Sequence, residues 1–135
     1  MNKEHNKLLK EWQNRLGLQD WHIVFKTNCR PENMALKDVE GCTTWTECTK
    51  SAWIDILDEK FFPENAAARP YDFETTLVHE LLHCKLSLID ERDEGTQSRM
   101  VHQLIDDLAR ALVDAKRSGI RQIDVYAATK GGRQE

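Results

Sequence analysis

The chain has 135 residues, of which 40% are hydrophobic and 31% charged, with a formal net charge of −4. That length suits one domain with a core of ordinary size. The acidic balance offers no basic stripe for phosphate contacts, and no apolar run nears the ~20 residues of a bilayer span, so neither nucleic acid nor membrane is an expected partner.

Lys3 to Leu16 reads as a helix, with Leu8, Leu9, Trp12 and Leu16 on one face and Gly17 as its stop. The stretch has no apolar core followed by small residues, so no secretory signal is expected. None of the four cysteines, Cys29, Cys42, Cys48 and Cys84, forms a Cys-x-x-Cys pair. Reduced thiols and a cytoplasmic location follow as expectations.

"DWHIVFKTN" alternates, with Trp21, Ile23 and Phe25 on one side, and predicts a strand. "RPENMALKD" reads as a loop around Pro31. "EGCTTWTE" and "SAWIDIL" read as two further strands, rich in Thr, Trp and Ile. Trp12, Trp21, Trp45 and Trp53 are expected in the core or at its rim. A loop with Pro63 and Pro70 leads to a helix from about Phe73 to Leu88, with Asp72 as its N-cap. A charged connection, "IDERDEGTQS", precedes a long helix from about Gln97 to Lys116, whose apolar stripe is Val101, Leu104, Ile105, Leu108 and Leu112. The order predicts an α+β domain spanning 1–128, a small, mostly antiparallel three-stranded sheet packed on helices, with a frayed tail at 129–135.

The chemistry concentrates in "LVHELLHCKL". Residues four apart on a helix stand one above the other, so His79 and His83 can aim two imidazoles at one metal. Glu80, about 100° around the helix, sits where it can take a proton from a water acidified by that metal. Leu77, Leu81, Cys84 and Leu88 form an apolar stripe widened by Val78, Leu82 and Ile89, so the helix is largely buried. Buried polar groups need partners, and a metal would serve both histidines. The bland alternative is a metal-free amphipathic helix.

Catalytic zinc sites usually have three protein ligands and one open position. His102 lies at the edge of the next helix's stripe and is the leading third ligand. Asp106, one turn later, can accept that ligand set's outer N–H. Glu91, Asp93 and Glu94 are weaker candidates.

"TLVHELLHCKL" followed by "VHQLIDDLARALV" resembles the zincin metallopeptidases, and in particular the small zincin-like proteins common in phages and prophages. In the gluzincin branch the third ligand is a glutamate in a downstream E-x-x-x-D helix; the matching stretch here runs from His102 to Asp106, with histidine in the glutamate's place. The resemblance implies Zn²⁺, a peptide or protein substrate, Glu80 as general base, and a sheet-edge strand, about Ser51 to Leu57, along which substrate lies. Tyr71 and Tyr126 are the tyrosines available to help hold an oxyanion. Glu40-Gly41-Cys42 also resembles the tripeptide from which peptide deformylases take a cysteine ligand, which makes Cys42 a competing third ligand. A non-catalytic zinc clamp between two helices is the alternative function.

Overall fold

The computed structural model describes residues 2–34, 36, 39–62, 69–89 and 96–129, side chains 96–98 and 120–129 excepted. Three helices, α1 (Lys3–Arg15), α2 (Phe73–Lys85) and α3 (Thr96–Thr129), accompany three strands, β1 (His22–Cys29), β2 (Gly41–Thr46) and β3 (Ser51–Leu57). The α+β class expected from the element order is the class observed. The sheet order is β1-β3-β2, with β2 antiparallel and β1 parallel to β3.

Strand parity sets which side chains meet the helices. Ile54 pairs in register with Phe25 on one side and Thr43 on the other, and Ala52 pairs with Ile23 and Trp45. These residues share the inner face, where Ile54 and Ile56 are fully buried. The opposite parity carries Trp53, which is 56% exposed. Trp53 was expected at the core or its rim; it shares its face with Asp55, and its ring is flanked by the Lys26 ammonium at 6.0 Å. Trp12, Trp21 and Trp45 are buried as expected.

Asn2 caps α1 by accepting a hydrogen bond from the Glu4 amide at 2.8 Å, and Gly17 closes the helix end at φ +69°, a conformation glycine adopts without penalty. Asp72 caps α2 through the Thr75 amide at 3.3 Å. α2 stops at Lys85, three residues before its expected end. The stripe of Leu77, Leu81 and Cys84 is buried, but Leu88 and Ile89 fall in the turn beyond and are exposed. On α3 the buried line is Val101, Ile105, Ala109 and Val113; Leu104 is exposed, while Leu108 and Leu112 pack at the margin. The tail from residue 130 onward lies outside the described residues.

A charged hub fixes α2 between its neighbours. Glu74, buried at the start of α2, accepts hydrogen bonds from Trp12 Nε1 of α1 at 2.7 Å and from Lys116 Nζ of α3. Arg117 grips Asp72 at 2.8 and 3.2 Å and also reaches Glu74 at 3.3 Å. Burial would raise the Glu74 carboxyl, but Lys116, Trp12 and Arg117 outweigh it and hold it below its ordinary value. The hub joins the start of α2 to both α1 and α3.

Candidate metal centre

His79 and His83 project from successive turns of α2 toward His102 on α3. The ring centroids stand 5.3 Å apart for His79–His83, 4.9 Å for His79–His102 and 5.5 Å for His83–His102. One nitrogen from each ring lies within 4.8 Å of the other two, so the trio can hold a metal ion. Nitrogens sharing a tetrahedral ion at ~2.0–2.1 Å stand roughly 3.3 Å apart, so the rings would draw together around an ion. His79 and His83 are half-buried and His102 is exposed.

Each partner has a physical consequence. Nδ1 of His79 faces Oδ1 of Asp106 at 3.5 Å, the outer limit of a hydrogen bond. Asp106 thus stands beside His79 on the side expected for it, and the other ring nitrogen is left to face the trio. Asp106 is itself held by Arg110, with Arg69 at 3.7 Å. Burial, reinforced by His83 and His102 and opposed by Asp106, pushes the His79 imidazole down to about 4, so the ring is neutral and ligand-competent at neutral pH.

Glu80 is 5% exposed. Its Oε1 accepts a hydrogen bond from the Thr43 hydroxyl at 2.6 Å. Burial pushes the carboxyl up to about 7, against the pull of that hydrogen bond and with a small addition from Glu40. The carboxylate lies against the backbone of β2: a Cβ at Gly41 would stand 2.8 Å from Glu80 Oε2 and 3.0 Å from the Thr76 methyl. Any side chain there would force Glu80 or Thr76 to shift, so glycine favours this close approach of strand and helix.

The histidines, Glu80 and Asp106 share an open cavity of about 570 Å³ with Glu40 and residues 41–45 of β2. No protein-family model, curated protein or solved structure matches this chain.

The structure thus brings together His79, Glu80, His83, His102 and Asp106. It does not bring Cys42 to the histidines. Cys42 pairs in register with Asp55, on the parity opposite Thr43 and Trp45, so its thiol belongs to the far face of the sheet. That thiol is pushed up by burial, then by Glu80 and Asp55, as suits a small packed side chain. Tyr71 does not reach the cavity either: its hydroxyl donates to the Leu57 carbonyl at 3.0 Å, and burial drives it above the ordinary phenol range. Glu91, Asp93, Glu94 and the Tyr126 side chain lie outside the described residues.

The expected substrate edge also moves. Ser51–Leu57 is the central strand, hydrogen-bonded on both sides, and cannot accept another. β2 is the edge that borders the cavity. Thr43, Gly41 and the Glu74 hub were not anticipated. The only available signal was that Gly41, Thr43 and Trp45 share one strand parity.

Proposed function

We propose that this protein is a zinc-dependent hydrolase, a peptidase of the zincin kind, with His79, His83 and His102 as metal ligands and Glu80 as general base. The observation that carries this reading is the convergence of three imidazoles from two helices with a buried carboxylate on one open cavity. Imidazole nitrogens suit zinc, and among the described residues no fourth protein ligand joins the group, which fits a site with one open position. When bound, zinc supplies a Lewis acid and makes water nucleophilic near neutral pH.

The residues of the chain do the rest. Glu80 takes the proton of the attacking water and returns it to the leaving amine as the C–N bond breaks. Asp106 holds His79 in orientation. β2, paired only with β3 among the described strands, offers its free edge to an extended peptide or protein segment. Among the described residues no helix is long and apolar enough to cross a membrane, and the free cysteines fit a cytoplasmic setting.

Elemental analysis of the purified chain should find one zinc per molecule. Labelled casein should be cleaved by the wild-type protein, and Glu80→Gln should retain zinc but lose turnover. A protein that binds no divalent metal stoichiometrically would end this reading. Because the histidines bridge α2 and α3, a structural clamp is the second reading. Chelation would then unfold the chain, whereas a catalytic site loses activity with its circular dichroism intact.

A further inference from the structure

Alternate residues of β2 face successive turns of α2. Gly41 lies against Thr76 and Glu80, Thr43 against Glu80, and Trp45 against His83. The Thr43 hydroxyl is 2.6 Å from Glu80 Oε1 and 3.3 Å from the Glu80 carbonyl, so it spans both ends of that residue. The Trp45 indole lies nearly parallel to the His83 ring, 21° off plane with centroids 5.7 Å apart.

Neither contact has much freedom. Trp45 is 7% exposed and belongs to the core cluster. Thr43 is pinned in register opposite the fully buried Ile54. Glutamate and histidine on a bare helix face would sample several rotamers; here a rigid strand selects one for each.

We infer that β2 is a positioning wall for the metal centre, with Thr43 fixing the Glu80 carboxylate and Trp45 fixing the His83 imidazole, each acting through α2 rather than on substrate. This rests on the hydrolase reading for its catalytic consequence, but the two contacts can be tested without it. A misplacement of about 1 Å in a reacting group lowers rate by about 100-fold, so the hydroxyl matters to turnover more than to binding. Groups that orient a ligating histidine typically change metal affinity by about 10- to 100-fold.

The experiment uses the full chain, Zn²⁺ alone as the binding probe and labelled casein as the turnover probe. Thr43→Val keeps the shape but removes the donor. It should bind Zn²⁺ within about 3-fold of wild type and lose about 10- to 100-fold in kcat at unchanged KM, with Thr43→Ser restoring most of the loss. Trp45→Leu should weaken Zn²⁺ binding about 10-fold, and Trp45→Phe should recover it. Co²⁺ in the site should quench indole fluorescence in the wild-type chain, a quench that Trp45→Phe loses while still binding the ion.

Wild-type kcat in Thr43→Val, alongside an inactive Glu80→Gln, overturns the role of Thr43. Unchanged Zn²⁺ affinity in Trp45→Leu, or no Trp45-dependent quench, overturns that of Trp45. If the wild-type chain leaves casein intact, the peptidase reading fails by itself. Urea melts of the chelated Thr43→Val, Glu80→Leu and double variants, in which each single change removes the hydrogen bond, then decide the contact. Zero coupling between the two sites overturns it; a clear coupling sustains it.

Discussion

Replacing Glu80 by glutamine should stabilise the metal-free protein at alkaline pH and leave it nearly unchanged in acid. In the folded chain burial holds the carboxyl at about 7, against an ordinary value of 4.5. Between those values the native state keeps a proton that the unfolded chain has released, so stability falls as pH rises through the window. The gap corresponds to a ceiling of roughly 3 kcal/mol, at about 1.4 kcal/mol per tenfold change in the proton equilibrium. Glutamine has the same shape, stays neutral at every pH, and can keep a hydrogen bond to Thr43. Urea melts in chelator at pH 5 and pH 8 should therefore give a variant about 1–3 kcal/mol more stable than wild type at pH 8, with most of that gain absent at pH 5. A difference that is the same at both pH values, or a variant weaker at pH 8, would refute the claim that this carboxylate is ionised at a cost. Stability gained where activity is lost is the pattern of a functional group held in an unfavourable setting.

His79 gives the opposite slope: its folded value, about 4, lies below the ordinary 6.5, so the unfolded chain binds the extra proton between them and stability falls as pH is lowered. Chelated Glu80→Gln protein should lose up to roughly 3 kcal/mol from pH 6.5 to 4 in urea melts, and adding His79→Gln should flatten that slope. Gly41→Ala should destabilise by about 1–3 kcal/mol in thermal melts, because the new methyl overlaps Glu80 and Thr76, yet leave Zn²⁺ affinity by calorimetry near wild type. Glu74→Ala should cost about 1–3 kcal/mol by chemical denaturation, since it leaves the buried Trp12 Nε1 without its acceptor and the Lys116 ammonium with only Glu11, at 3.2 Å. His102→Ala, at an exposed position, should barely move the melting temperature of the chelated protein while sharply lowering zinc affinity.

What the sequence made legible was local. The 3.6-residue spacing of Leu8, Leu9 and Trp12 located α1, and alternation through Trp21, Ile23 and Phe25 located β1. The four-residue interval between His79 and His83 required only that α2 form, and Asp72 supplied its cap. His102 was found because it interrupts the margin of an apolar stripe. The misjudged features depend on distant parts of the chain. β3 reads as a strand anywhere, but its central place is set by β1 docking parallel to it across a long separation. Trp53 looked apolar enough for the core, yet parity groups it with Asp55, and parity counts only once the buried face is known. Glu74 stands in the first turn of α2 like many helical carboxylates; only the tertiary approach of Trp12 and Lys116 makes it a buried hub. Thr43 was read as a strand former, and nothing in its neighbours announces a carboxylate thirty-seven positions away.

The uneven exposure of the three imidazoles bears on how an ion bound by the proposed centre would exchange. His102 stands at the cavity mouth, while His79 sits deeper, its side chain 16% exposed. If the trio binds an ion as proposed, an arriving cation would meet the outer ring first, and a chelator would approach by the same route without opening the core. Loading and stripping should then be fast and reversible in the native state, with rates that follow free metal or chelator concentration rather than the rate of global unfolding.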